Sequence, residues 1–68
     1  MKQQTQDPGT VIKSLREMSG LTLKQVAVGA DTSISYLSKV ENGVYVPTQT
    51  YVARVVAFVS SQMLAEAA

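Results

Sequence analysis

The chain has 68 residues and a net charge of +1, which predicts one small domain with a thin core and modest non-specific binding to nucleic acid. It contains no cysteine and no histidine, so disulfide bridges and metal sites built from either residue are excluded. Arg54, Ser60 and Gln62 interrupt the most apolar region, so no apolar run reaches the roughly 18 to 20 residues of a membrane span. The N-terminus lacks the apolar core of a signal peptide, and we expect a cytoplasmic protein.

The first helix is predicted to begin at Asp7-Pro8, with Asp7 as the N-cap and Pro8 at the first helical position. The preceding residues are polar and lack apolar periodicity, so we expect a flexible segment at 1–7 and a single domain at 8–68. Gly20 is expected to end the helix. Its predicted buried stripe consists of Val11, Ile12, Leu15 and Met18.

The second helical pattern begins at Thr22, an N-cap candidate with Gln25 at capping-box spacing. Its apolar face consists of Leu23, Val26, Ala27 and Ala30. The pattern stops at Asp31, because Asp is among the few residues other than Gly that tolerate the left-handed backbone of a sharp helix exit.

The third pattern follows Ser33, whose hydroxyl can cap a helix. It carries Leu37 and Val40 inward and ends at Asn42-Gly43, a pair suited to a left-handed C-terminal stop. Two helices joined by about three or four residues are the sequence form of a helix-turn-helix, which we assign to residues 22–43.

The last helical segment is predicted at 48–66, after Pro47 and starting with Thr48. Its apolar residues repeat at three and four and comprise Tyr51, Val52, Val55, Val56, Phe58, Val59, Met63 and Leu64. β-Branched residues are abundant, so a strand at 51–59 is the alternative, but the length and the Ala-rich continuation favour a helix. We therefore predict an all-α fold, a compact bundle of four to five helices with a central helix-turn-helix.

The stretch from Leu21 to Gly43 resembles, position by position, the Cro/repressor-type (XRE-like) helix-turn-helix proteins. The match extends upstream and downstream and covers residues 11–58. The residues that carry it are Leu15-Arg16, Gly20-Leu21, Ala27, Ser33, Leu37, Val40-Glu41-Asn42-Gly43 and Pro47-Thr48. The resemblance implies a lambda-repressor-like DNA-binding domain of phage or bacterial type. In many relatives the chain turns within the fourth helix at a Gly-containing loop. This sequence lacks such a loop, so the alternative is a last helix that continues without a break.

In this family the second helix of the motif lies in the major groove of DNA, and the resemblance implies base contacts at Ile34, Ser35 and Lys39. Lys39 would donate to guanine O6 or N7, Ser35 would donate or accept, and Ile34 would pack on a thymine methyl group. Ser38 is expected on the same outward, base-reading face. The structural alternatives are a solvated Lys39, serines that fill an exposed face, and an Ile34 that joins the core.

Contacts with the DNA backbone position a protein without reading sequence. The free N–H groups of the helix N-termini at Thr22 and Thr48 suit phosphate oxygens. The full set of candidates is Thr22, Lys24, Tyr36, Asn42, Tyr45 and Thr48. For Tyr36 the alternative is a ring that leans on the core, and for Asn42 it is a plain C-terminal stop.

Arg16 and Glu41 stand at positions that form an ion pair in relatives, between helix one and the end of the recognition helix. The resemblance therefore implies a structural ion pair here. Glu41 is then a poor candidate for catalysis or metal binding, and removal of one partner would leave a desolvated charge.

The C-terminal helix has more apolar residues than one face against a small bundle can use. We expect a dimer interface made of Val52, Val56, Val59 and Met63, with Tyr51, Val55, Phe58 and Leu64 in the core, although the two sets are interchangeable. The homodimer would present two recognition helices to a palindromic operator. The alternative is a surplus of small apolar residues on a monomer's surface.

These features favour a small sequence-specific transcriptional regulator, Cro- or repressor-like, that acts on double-stranded DNA in a bacterial or phage-infected cell. The alternative is a protein-interaction module on the same fold, such as an antitoxin or a factor that binds another regulator. An enzyme is not expected, because the chain has no His, no Cys, no Gly-rich phosphate loop and no acid pair at one-turn spacing. We expect no cofactor, metal or small-molecule ligand.

Overall fold

The computed structural model describes residues 7–67, which form four α-helices without a strand. The helices are α1 (Pro8–Met18), α2 (Leu23–Gly29), α3 (Ile34–Glu41) and α4 (Gln49–Ala67). The predicted all-α bundle with a central helix-turn-helix is confirmed, and the strand alternative at 51–59 is wrong because these residues lie within α4. Among the described residues no helix is both long enough and apolar enough to cross a membrane. Apart from Asp7, the segment 1–7 lies outside the described residues.

A single hydrophobic core lies between the four helices and fixes the rotation of α3. Its buried members are Ile12, Val26, Ala27, Ala30, Leu37, Val40, Tyr51, Val55 and Val59. The inward positions predicted for Leu37 and Val40 are confirmed, since neither side chain is exposed at all. Burial of an aliphatic side chain of this size contributes about 1.5–3 kcal/mol. The opposite side of α3 therefore faces outward.

The helices α1, α2 and α3 end in the same way. The residue after each C-cap has a positive φ, 72° at Gly20, 59° at Asp31 and 79° at Gly43, which confirms the predicted left-handed exits. The next amide then donates back into the helix, as in the 2.8 Å bond from Thr32 N to the Ala27 carbonyl oxygen. Each helix thus stops sharply, and the turns stay short enough to place α2 and α3 side by side.

Side-chain caps begin the helices. The predicted capping box of α2 is present: Gln25 N donates to Thr22 Oγ1 at 3.0 Å, and Thr22 N donates to Gln25 Oε1 at 2.8 Å. Ser33 Oγ accepts from a first-turn amide of α3, as expected. Asp7 occupies the N-cap position of α1, but its carboxylate accepts from the Thr10 hydroxyl at 3.0 Å and caps no backbone amide.

The buried side of α1 differs from the predicted stripe. Ile12 is buried as expected, but Met18 is 72% exposed, so its assignment to the stripe is wrong. Leu15 is half-buried and packs against the core, as predicted. The inward line also includes Gly9 and Arg16, and two residues of helix rotate Met18 by about 200° from Arg16. Gly9 is buried so closely against α3 that a methyl group there would overlap the carbonyl oxygen of Val40.

In α4 the apolar residues divide differently from the prediction. Val59, assigned to a dimer interface, is 1% exposed and belongs to the core, because it continues the line through Tyr51 and Val55 at four-residue spacing. Leu64, assigned to the core, is 72% exposed, because it lies about 140° around the helix from Val59. Both assignments are wrong. Met63 is exposed.

Candidate nucleic-acid interface

The outer face of α3 carries the side chains that were predicted to read bases. Ile34, Ser35 and Lys39 are exposed. Because Ile34 is 45% exposed, the alternative that placed it in the core is wrong. Ser38 is half-buried, and its carbonyl oxygen and hydroxyl accept from Nδ2 of Asn42 at 2.9 and 3.5 Å. The freest side chains of this face are thus an aliphatic group, a hydroxyl and an ammonium group.

An ion pair holds the C-terminal end of α3. Arg16 donates from Nε to Glu41 Oε2 at 2.8 Å and from Nη2 to Glu41 Oε1 at 2.9 Å, and both side chains are largely buried. Its Nη1 donates to the carbonyl oxygen of Leu21 at 3.0 Å. The hydrogen bond with Glu41 raises the pKa of Arg16 above its ordinary value, so the guanidinium remains charged. Both oxygens of the Glu41 carboxylate therefore accept hydrogen bonds from Arg16, which gives Glu41 a structural role.

The surface of the motif is weakly basic. The helices α2 and α3 carry Lys24 and Lys39, both exposed, and their single acid is the paired Glu41. Asp31, exposed in the turn between them, opposes this positive charge. Among the described residues no three potential metal-binding acids come together. The two exposed lysines therefore give this surface a weak positive charge, which suits an anionic partner.

Three tyrosines that are distant in sequence form a cluster beside this face, which we call the tyrosine cluster (Tyr36, Tyr45 and Tyr51). The rings of Tyr36 and Tyr45 are stacked, with centroids 5.3 Å apart and an interplanar angle of 22°. The Tyr36 ring also meets Tyr51 edge to face, with centroids 5.1 Å apart. Of the two alternatives for Tyr36, the ring therefore packs on the buried Tyr51. The cluster joins α3, the loop before α4, and α4 itself.

The loop from Gly43 to Thr48 is an exposed apolar edge next to α3. Val44, Tyr45 and Val46 are all exposed, and the Val46 side chain is the most open of them at 86%. Thr48 ends the loop as the cap of α4, since its Oγ1 accepts from Tyr51 N at 3.1 Å. The loop thus brings the Tyr45 ring against Tyr36 of α3 and leads directly into the first turn of α4.

The candidate backbone contacts lie around the same surface. Thr22 and Lys24 are exposed at the start of α2. The Thr22 hydroxyl accepts the capping bond, and its own proton is left for a donor role. Asn42 is exposed too, but Nδ2 donates to the Ser38 carbonyl oxygen at 2.9 Å, which favours the alternative of a helix stop.

Sequence reasoning missed the way in which the tyrosines meet. The hydroxyl groups of Tyr51 and Thr32 share a hydrogen bond of 3.0 Å, so α4 is tied to the turn between α2 and α3. The Lys39 ammonium lies 5.8 Å from the centroid of the Tyr45 ring. No periodicity joins residues 36, 45 and 51, so no pattern in the sequence indicated that they meet.

The fold and the exposed face of α3 together define a small all-α helix-turn-helix domain. A family model described as helix-turn-helix domain matches residues 9–60, which is more than half of the chain. The protein therefore belongs to the helix-turn-helix domain family, and the predicted XRE-like resemblance is confirmed. A domain of this family indicates a DNA-binding regulator. Searches of curated proteins and of solved structures found no match.

Proposed function

We propose that this protein is a sequence-specific transcriptional regulator, Cro- or repressor-like, that occupies a palindromic operator as a homodimer. The observation that carries the proposal is the outward face of α3, which presents Ile34, Ser35 and Lys39 in a domain of the helix-turn-helix family. A bound dimer would exclude polymerase or a competing repressor from the same DNA in a bacterial or phage-infected cell. The expected partner is double-stranded DNA, with no cofactor and no catalytic step.

The base-reading roles follow from the chemistry of the exposed groups. Lys39 donates to guanine O6 or N7, Ser35 exchanges hydrogen bonds with a base edge, and Ile34 packs on a thymine methyl group. Ser38 has a smaller part in this reading, because its hydroxyl and carbonyl group already accept from Asn42. With a single cation on the face, we expect a short base preference centred on the guanine that Lys39 reads.

Backbone contacts surround these groups and set the position of α3 in the groove. Lys24 pairs with a phosphate, while the Thr22 hydroxyl and the first N–H groups of α2 and α4 donate to phosphate oxygens. Thr48 contributes through the start of α4, which it caps. The Tyr45 hydroxyl is a further donor. Tyr36 and Asn42 have smaller parts, because the Tyr36 ring packs on Tyr51 and the Asn42 amide already donates to the Ser38 carbonyl oxygen.

The homodimer would form through the exposed side of α4. Of the predicted interface, Val52 and Val56 are half-buried and Met63 is exposed, whereas Val59 is no longer a candidate. Val52 and Val56 also line a shallow, largely apolar groove of 350 Å³ near Pro47. A two-fold axis there would set two α3 helices about 34 Å apart, one turn of DNA.

The first test is selection from a randomised duplex library at two salt concentrations, with the mass of the protein in solution recorded. The expected result is a palindrome with half-sites one turn apart, bound by a dimer. Lys39→Gln should weaken binding to the selected duplex. It should also reduce the discrimination against the wrong base at one base pair by about 1–3 kcal/mol. Lys13→Gln, on α1, removes the same charge outside every proposed contact and should retain the base preference. Equal binding by wild type and Lys39→Gln would contradict this reading helix.

A second candidate function is a protein-interaction module, such as an antitoxin or a factor that binds another regulator. The observation that favours it is the exposed apolar edge at Val44 and Val46, beside an aliphatic Ile34 on the outer face of α3. Footprinting on the selected DNA separates the two functions. An interaction module would protect no discrete site, and its weak binding would vanish as salt is raised.

A further inference from the structure

We propose that Tyr45 is a positioning residue for Lys39 and thereby sets the base preference at the position that Lys39 reads. The inference rests on the proposed function, because Tyr45 influences recognition only if Lys39 reads a base. In this proposal the Tyr45 ring holds the lysine side chain and touches no base itself. Tyr45 belongs to the loop before α4, so a residue outside the helix-turn-helix would control what the recognition helix reads.

The first step of the argument is the contact between the ammonium group and the ring. Lys39 Nζ lies 5.8 Å from the centroid of the Tyr45 ring, within the roughly 6 Å at which a cation and an aromatic face attract. Lys39 is exposed in the last turn of α3, and a free lysine stem samples many rotamers. The ring narrows this range, so less conformational entropy is lost when the ammonium meets a base.

The second step is that the Tyr45 ring is itself held in place. It stacks on Tyr36, which meets Tyr51 edge to face, and Tyr51 is buried in the core. The Tyr51 hydroxyl is fixed in turn by its hydrogen bond with Thr32. A continuous set of contacts thus runs from the core to Lys39. These contacts fix the orientation of the Tyr45 ring, although Tyr45 lies in an exposed loop.

The third step separates the ring of Tyr45 from its hydroxyl. The hydroxyl is a proposed phosphate contact, which would affect every DNA sequence equally. The ring acts through Lys39 and would affect only the base that Lys39 reads. Tyr45→Phe removes the hydroxyl and keeps the ring, whereas Tyr45→Leu removes both. The comparison of these two variants therefore isolates the ring.

The experiment measures the affinity of the wild type, Tyr45→Phe and Tyr45→Leu for two duplexes, the selected one and one altered at the base pair that Lys39 reads. The ratio of the two affinities does not depend on the folded fraction, so a loss of stability does not imitate the effect. Tyr45→Phe should lower both affinities equally and keep the ratio. Tyr45→Leu should lower the ratio about two- to fivefold, as expected for an exposed cation–π contact. Tyr45→Gln is a second non-aromatic variant with the same expectation.

A double-mutant cycle with Lys39→Gln shows whether the effect passes through the lysine. In the Lys39→Gln background, Tyr45→Leu should leave the ratio as it is in Lys39→Gln alone. Equal ratios for Tyr45→Leu and Tyr45→Phe would overturn the proposal. If Tyr45→Leu still lowered the ratio of the two affinities in the Lys39→Gln background, the proposal would be overturned as well. The loop would then affect the base preference without acting through Lys39.

A measurement without DNA distinguishes this proposal from the proposed function. In the nuclear magnetic resonance spectrum of the free protein, the ring current of Tyr45 should move the Lys39 side-chain methylene protons upfield. The shift should be retained in Tyr45→Phe and lost in Tyr45→Leu, and its absence from the wild type would overturn the positioning role. A wild type that selects no duplex would contradict the proposed function, whereas a selective wild type with unchanged ratios would contradict only the role of Tyr45.

Discussion

Arg16 uses one side chain to join three parts of the molecule. Its guanidinium lies on α1, makes two hydrogen bonds with Glu41 at the end of α3, and donates a third to the Leu21 carbonyl oxygen before α2. This planar, two-pronged geometry is available to arginine and not to lysine. The pair therefore links α1 to the end of α3, and through α3 it helps to orient the proposed reading face.

At the residue scale we predict that Arg16→Met strongly destabilises the protein. The Glu41 side chain is only 3% exposed, so its carboxylate would be left buried without a partner, at a cost of about 3–5 kcal/mol. A domain of this size has about 3–10 kcal/mol of stability in total. The free energy of unfolding in urea measures the loss.

The double variant Arg16→Met with Glu41→Leu is the control for this prediction. It removes both charges, and much of the lost stability should return because no buried charge remains. The raised pKa of Arg16 means that the stabilisation from its charge is present at neutral pH and is lost only when the pH rises through that pKa, far into the alkaline range. An Arg16→Met protein as stable as the wild type would contradict the structural role of the pair.

At the scale of elements, the contact between α1 and α3 depends on the absence of a side chain at Gly9. The backbone of α1 approaches Val40 so closely there that a methyl group would overlap the Val40 carbonyl oxygen. Glycine within a helix is normally unfavourable by about 0.8–1.0 kcal/mol relative to alanine. Its presence in the first turn of α1 is explained by this packing.

We therefore predict that Gly9→Ala destabilises the protein, although alanine is the better helix former. The clash forces α1 away from α3 and should cost roughly 1–3 kcal/mol, as overpacking in a core does. Thermal unfolding monitored by circular dichroism measures the change. Ser14→Ala, at an exposed position of the same helix, is the matched control and should be neutral or slightly stabilising. A gain of stability in Gly9→Ala would contradict the close approach.

At the scale of the whole molecule, the exposed side of α4 is the proposed dimer interface, and a dimer would present two copies of α3 to DNA. Between Gln49 and Ala65 this helix carries a single charged residue, Arg54. Val56 is half-buried beside the apolar groove and is not among the residues packed against the core. A charge at Val56 would thus test association without replacing a residue that packs against the core.

We predict that Val56→Glu makes the protein monomeric and weakens its binding to the two-half-site duplex. Two like charges would face each other across the two-fold axis, and the loss of the second contact should reduce affinity by about 10²–10⁴-fold. Analytical ultracentrifugation and titration with duplexes of one and two half-sites measure both effects. Ala57→Glu, an exposed neighbour on α4, should retain the dimer. An unchanged mass and affinity in Val56→Glu would contradict this interface.

The local features were predictable because each depends on residues within a few positions of one another. The capping box at Thr22, the cap at Ser33 and the left-handed exit at Asp31 all involve bonds within one turn. The inward positions of Leu37 and Val40 follow from helical spacing within the motif. The ion pair of Arg16 and Glu41 was expected from family resemblance, since no local pattern joins residues that far apart.

The sequence by itself therefore determined the helices, their ends and the family of this protein. Only the tertiary structure decided which sides of α1 and α4 are buried, because the rotation of a helix about its axis is set by its neighbours. That rotation moved Val59 into the core and left Met18 and Leu64 in solvent. The tyrosine cluster was decided in the same way, because its members come together only when α3, the loop and α4 are packed.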